Sequence, residues 1–370
     1  MRLASRSGST RQTGIEVMTT RRGFIASLAA SLAVPHLTWA DAGSPGYLAA
    51  AKQGADYVLY GLGQGGQAVF AIPLPSRGHA AAAHPVRPEA VAFARRPGTF
   101  ALVIDCANGR VAHRLTPPEG RQFNGHGAFS IDASVLYTSE VVAETSEGRL
   151  GLWDAANGYL RMGEVATGGL GPHELRRLPD GMLVVANGGI ETDPSDRTKL
   201  NIDTMAPNLA YLTPDGAIAE RVTLDPDLHQ LSIRHLALGP DGEVAFAMQW
   251  EGDPSEPVPL LGLHRRGGAA RLCPPDDLEA WAMKGYAGSI AWAGDTIALT
   301  SPPGGVVQLF DAGGAYRSTI RRTDASGVAP LGGALMVTDG TGAISRIEGG
   351  AISPLGRFDL AWDNHLVALG

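Results

Sequence analysis

Residues 100–113, FALVIDCANGRVAH, and residues 150–163, LGLWDAANGYLRMG, are one unit written twice. Each is an apolar run, an Asp-x-Ala-Asn-Gly turn and a second run, and Asn-Gly supplies the φ > 0 residues that a tight hairpin needs. Weaker copies begin at Leu209, Leu260, Val307 and Gly342, and QAVFAIPLPSRGHA from Gln67 makes a seventh. Between the copies a second unit recurs: HGAFSIDASVLYTSE at His126, HELRRLPDGMLVVAN at His173 and HLALGPDGEVAFAMQ at His235. Looser versions start at His79, Ser289, Gly327 and Phe358. Each pair of units gives four strands, and about seven such repeats imply an all-β, seven-bladed β-propeller of four-stranded blades. The Asp-x-Ala-Asn-Gly turns are expected on one rim and the Pro-Asp-Gly turns on the other. The C-terminal strands FDLAW and HLVALG are expected to close the ring on N-terminal strands near 57–61 and 68–72, which removes the sheet edges that would aggregate.

Composition agrees with this reading. Of 370 residues, 49 are Gly and 25 Pro, too many for a helical bundle, while 44% apolar and 18% charged residues exclude general disorder. Two packed sandwiches are the competing architecture. One short helix is expected at Asp276–Met283, where acidic residues precede an apolar face. Cys106 and Cys273 fall in distant repeats and are expected as separate thiols.

The N-terminus reads MTTRRGFIASLAASLAVPHLTWADA from Met18. Arg21-Arg22 before a short apolar run from Phe24 to Val34, then small residues up to Ala40, is the pattern of a twin-arginine signal peptide over residues 1–40, with Met18 as an alternative start. Residues 41–370 are then a single propeller domain exported to the periplasm and soluble after cleavage near Ala40. Beyond residue 40 there are 25 basic and 36 acidic residues, a net charge of −11. That argues against nucleic acid and anionic lipid as partners, and no later stretch approaches the roughly 18 apolar residues of a membrane span, so no membrane insertion is expected.

Histidine spacing marks the candidate site. His79, His126 and His173 are 47 residues apart, and His235 follows 62 later across an insertion at 188–207. Each precedes the expected innermost strand of its blade, so four imidazoles should converge on one mouth of the axis. Gly288, Gly327 and Phe358 occupy the corresponding places in the remaining blades and leave the ring open on one side. Neutral imidazoles from several blades suit iron or copper; inter-blade hydrogen bonding is the structural alternative. Arg77, Asn124 and Arg234 lie one or two residues before a histidine, Glu174 follows His173, and Glu140 and Asn187 sit near the ends of second strands. These six are candidates for ligand binding or for lining the channel, the arginines either gripping an anion or closing the channel by ion pairs. The insertion, rich in acidic residues, is a candidate lid. No Cys-x-x-Cys-His attaches a c-type haem, and the Gly61–Gly66 run, a formal dinucleotide fingerprint, leads into a strand instead of a helix, so NAD is not expected.

The strings LPSRGHAAAAHPVRPEAVAFARRPGTFALVID (74–105), GPHELRRLPDGMLVVANGGIET (171–192), KLNIDTMAPNLAYL (199–212) and LSIRHLALGPDGEVAFAMQWEGD (231–253) carry a specific likeness. Across about residues 45–345 the chain resembles the bacterial family called domain of unknown function 1513. The resemblance implies a propeller similar to the YVTN and quinoprotein-amine-dehydrogenase types, a twin-arginine leader, and a role beside imelysin-type iron-uptake proteins, with the family's histidine motifs falling on His79, His126, His173 and His235. By arrangement alone, four histidines on a seven-bladed axis resemble carotenoid oxygenases. Three readings follow: a periplasmic metal-binding propeller accessory to iron uptake, an interaction scaffold whose histidines are structural, and a metal-dependent oxidoreductase.

Overall fold

The computed structural model describes residues 37–95 and 98–369; most of the twin-arginine segment lies outside the described residues. Leu37–Gly370 folds as one unit of seven four-stranded antiparallel sheets in a ring. The innermost strands are β4 (Gly78–Ala83), β8 (Arg121–Phe129), β12 (Pro172–Arg177), β16 (Leu231–Leu238), β20 (Ser289–Ala293), β24 (Ala325–Leu331) and β28 (Ala361–Ala368), and each packs against the next around the axis. Short continuous apolar runs such as Ala101–Asp105 and Leu183–Asn187 form the middle strands, because both faces of a blade are covered by its neighbours. The outermost strands carry the polar residues: Arg110–Leu115 is exposed except at Leu115. The core therefore lies between blades, as where Tyr211, Phe246 and Trp292 share one buried cluster.

The ring closes through sequence ends, as expected, but with different partners. β28 pairs antiparallel with β1 (Tyr47–Gln53), Leu48 facing Val367, and β1 then pairs with β2 (Asp56–Leu62) and β2 with β3 (Ala68–Leu74). One C-terminal strand closes the ring instead of two, because Phe358–Leu360 is spent on the connection into β28. The seventh hairpin is likewise shifted. Its turn is the Gly63–Gln67 loop, where Gly63 N donates to Gln67 O, and residues 75–77 link one blade to the next.

The two turn types share a rim, contrary to the sequence expectation. Turns joining strands one to two and three to four of an antiparallel blade lie at the same end, and they bond there: Ala155 N donates to Ser134 O and Cys106 N to Pro88 O, both at 2.8 Å. The Asp-x-Ala-Asn-Gly loops are also longer than a two-residue turn. Asp105 pairs with Arg110 across four residues, and Asp105 accepts from Asn108 N and Asn108 Nδ2 at 3.1 and 2.7 Å. The aspartate side chain builds the loop and glycine supplies its positive φ, +65° at Gly109. Helix α1 (Asp277–Ala282) forms where expected, with Asp276 as N-cap accepting from Glu279 N at 3.0 Å. Cys106 and Cys273 are separate buried thiols. No helix among the described residues is long and apolar enough to cross a membrane.

Candidate metal centre on the propeller axis

Five of the seven innermost strands break register where a histidine sits. The breaks fall between Gly78 and Ala81, Phe123 and Gly127, Pro172 and Leu175, Ile233 and His235, and, in β28, between the partners of Ala49 and Ala51. A bulge inserts residues without a partner and re-aims the side chains it carries. The histidines thus lie inside the innermost strands, at bulges, instead of before them. In β8 the bulge is held by Ser139, whose Oγ accepts from His126 N and donates to His126 O at 3.3 and 3.2 Å.

The bulges bring His79, His126, His173 and His235 together, and add His365. Ring centroids of His79 and His126 are 5.0 Å apart, His126 and His173 4.8 Å, His173 and His235 4.7 Å, His235 and His365 4.8 Å, and His365 and His79 4.6 Å. Two triples, His79–His126–His365 and His126–His173–His235, each present ring nitrogens within 4.8 Å of one another, so His126 belongs to both and the triples could hold a metal ion. His365 takes the place that the sequence reading gave to Phe358. Its signal was available: HLVALG at 365–370 repeats HLALG at 235–239.

Electrostatics keep His126, His173 and His365 neutral. Burial pushes His126 and His173 well below the usual histidine range, and neighbouring histidines push them further; burial and His235 bring His365 to about 3. Neutral imidazole is the ligating form. Among the described residues, His126 Nε2, His173 Nδ1 and His365 Nε2 are buried with no hydrogen-bond partner. A buried polar atom without a partner is costly, so the open nitrogens of His126 and His365 in one triple, or of His126 and His173 in the other, fit a coordinated ion.

The other expected residues divide. Glu174 belongs to the centre: its Oε2 lies 3.4 Å from His235 Nδ1 and accepts from Leu236 N at 3.1 Å, while Oε1 meets Arg176 Nη2 at 2.6 Å. Burial alone would raise this carboxyl, but the Arg176 charge and the His235 contact hold it at about 2. A carboxylate behind an imidazole fixes ring orientation and tautomer at metal sites. Asn124 donates through Nδ2 to Pro172 O, tying two histidine-bearing strands together. Arg77 Nε is paired with Asp363 Oδ2 at 2.6 Å, which is the ion-pair reading. Arg234 is buried beside the histidines. Glu140 and Asn187 sit apart from the axis contacts: Glu140 is bound by Arg161 and Thr138, and Asn187 by Thr167 and Asn208.

The insertion between β13 (Leu183–Asn187) and β14 (Asn208–Leu212) forms one wall of a cleft of about 220 Å³ over the histidines. Ile190, Thr192, Arg197 and Lys199 face that cleft, and His79, His173 and His235 line it too.

No curated protein matches the chain. Among solved structures, hydrazine synthase of Kuenenia stuttgartiensis is similar at 14% identity and a TM-score of 0.59, over 82% of this chain and 90% of that one. A streptogramin B lyase aligns at 14% and 0.52, over 75% and 82%. A catalytically inactive virginiamycin B lyase from Staphylococcus aureus with quinupristin aligns at 14% and 0.53, over 75% and 83%. At such identities the likeness is one of fold. The family model described as "Protein of unknown function (DUF1513)" matches residues 72–369, running past residue 345 and through the strand that carries His365, and the chain belongs to that family.

Proposed function

We propose that this chain is a periplasmic propeller that binds a transition metal, iron or copper, at the histidine mouth and serves iron uptake as an accessory protein. The observation that carries the metal reading is the convergence of five imidazoles from five blades, four of them buried side chains and three with a ring nitrogen unpartnered among the described residues. A donor set of imidazoles without thiolate suits copper, iron, nickel and zinc better than magnesium or calcium. Bound there, the ion would supply Lewis-acid or redox chemistry. The chain's own contribution is to hold His126, His173 and His365 neutral, to orient His235 through Glu174 and to shield the centre within the ring. The twin-arginine pattern and the family resemblance support the compartment and the company. An inter-blade role would call for ring contacts across blades such as that of His235 with Glu174, and the unpartnered nitrogens of His126, His173 and His365 weigh against it for those three.

Metal content of the protein purified from periplasm, followed by Cu(II) and Fe(II) titration of the chelator-treated chain, tests this. One ion per chain is expected, with affinity lost in a folded His126→Ala, His173→Ala double variant. Absence of iron and copper from the purified protein, together with unchanged affinity in that variant, would overturn it. Co-purification of an iron-uptake partner tests the accessory role separately.

A further inference from the structure

The cleft over the histidines is lined by four cations, Arg95, Arg197, Lys199 and Arg234, and, among the described residues, by no carboxylate. Two carboxylates lie behind them, each shared. Glu251 meets Lys199 and stands 3.7 Å from Arg234 Nη2. Asp363 Oδ2 is taken by Arg77, leaving Oδ1 at 3.7 Å from Arg95 Nη1. Arg234 is only 6% exposed, and its Nε has no hydrogen-bond partner among the described residues. Arg197, on the exposed insertion, makes no ion pair among the described residues. Burial pushes both Arg95 and Arg234 below the usual arginine range, as expected for guanidinium groups short of counter-charge.

Buried or clustered guanidinium groups persist when something neutralises them, and their planar fork matches carboxylate and phosphate oxygens bidentately. An open cleft of about 220 Å³ has room for phosphate or a small di- or tricarboxylate. We propose that this cleft is a binding site for a small polyanion, held by Arg95, Arg197, Lys199 and Arg234 directly above the axial histidines. The site stands on its own cations. Where the metal reading also holds, the anion has a second role, because four cations facing a divalent ion would repel it unless an anion lay between them.

Isothermal titration of the full, chelator-treated chain with inorganic phosphate, and separately with tricarballylate, tests the site without metal. At least one of them should bind, with affinity falling as ionic strength rises, and the one preferred tells phosphate from carboxylate chemistry. Arg197→Ala should lose at least tenfold while keeping the wild-type melting temperature, since Arg197 makes no ion pair. Arg234→Lys should lose affinity too, because a point charge cannot replace the fork. Heat from neither anion, or equal affinity in Arg197→Ala and wild type, would overturn the proposal. Anion binding in a chain that takes no metal would sustain it and count against the metal reading alone.

Discussion

Replacing Glu174 by Gln tests whether the carboxylate behind His235 serves the metal centre. The change keeps the side chain's size and removes one negative charge. Glu174 accepts from Leu236 N at 3.1 Å and from Arg176 at 2.6 Å, so the amide oxygen can keep one of these contacts while the amide nitrogen replaces the oxygen facing His235 Nδ1 at 3.4 Å. A hydrogen bond to an ionised group contributes about 1.5–3 kcal/mol. The His235 contact is long for such a bond, which places the loss near the lower end, about 1.4–2 kcal/mol, or roughly ten- to thirtyfold in Cu(II) affinity. That agrees with the 10–100-fold typical of losing a carboxylate behind a metal-bound histidine. Competition titration against a chromophoric chelator measures it, after melting without metal shows that the variant is folded. The same substitution made in a His235→Ala background should add nothing, because the carboxylate acts through that ring. An undiminished affinity in folded Glu174→Gln, or an equal loss in both backgrounds, would refute the reasoning.

Other expectations concern the frame. His84 Nδ1 accepts from Val86 N and Arg87 N at 3.1 and 2.8 Å, and burial lowers its pKa to about 4. A histidine depressed in the folded state contributes stability above the unfolded value near 6.5 that is lost as pH falls through about 4. Denaturant melts should therefore show a His84 contribution of about 2 kcal/mol lost between pH 7.5 and 5, and this share should be absent in His84→Asn, whose amide oxygen accepts the same bonds without titrating. Gly125 has φ +95°, and a Cβ there would stand 2.5 Å from His79 Cδ2; Gly125→Ala should cost about 1–3 kcal/mol by thermal melting and weaken Cu(II) binding by displacing that ring. Trp362 on the closing strand is 3% exposed, with Tyr60 and Phe358 rings at 5.3 and 5.4 Å. Trp362→Ala should lower stability by about 3–5 kcal/mol in one transition; a separate early step for the closing blade alone would contradict a cooperative ring.

Blade number and strand grouping were legible because each repeat carries its turn chemistry in the sequence, as Asp105 and Asn108 do in one loop and Asp154 and Asn157 in the next. What was not legible depends on pairing between distant segments. YLAAAKQ at 47–53 becomes β1 only because β28 lies beside it, and a two-residue turn such as Gly54-Ala55 gives it no distinctive signal. The spacing of 47 found His79, His126 and His173, but could not find His365, since the closing blade is split between chain ends and its period is broken. The bulges were invisible as well: a register shift is set by the partner strand and leaves no fixed pattern in the strand itself. Glu140 was placed near the mouth because it ends the second strand of its blade, whereas the outer-strand Arg161 captures it.

The asymmetry of the axis has a packing origin. β20 pairs with its neighbour without a shift, from Ser289↔Thr300 to Ala293↔Thr296, so nothing there is re-aimed inward. β24 does break register, between Ala325 and Val328, where Ser326 and Gly327 lie, and Gly327 has no side chain to aim inward. A Cβ on Gly327 would stand 2.7 Å from Leu366 N and 3.0 Å from His365 C, so the backbone of β28 occupies the place a sixth side chain would need. The glycine in β24 and the histidine in β28 are therefore one feature: the first leaves room for the β28 backbone at His365–Leu366, and the second from there reaches His79 and His126 at 4.6 and 4.8 Å. On this account Gly327→Ala should displace His365 and weaken the His79–His126–His365 triple while sparing His126–His173–His235. Loss of Cu(II) affinity in folded Gly327→Ala would place the single ion in His79–His126–His365, and unchanged affinity would place it in His126–His173–His235.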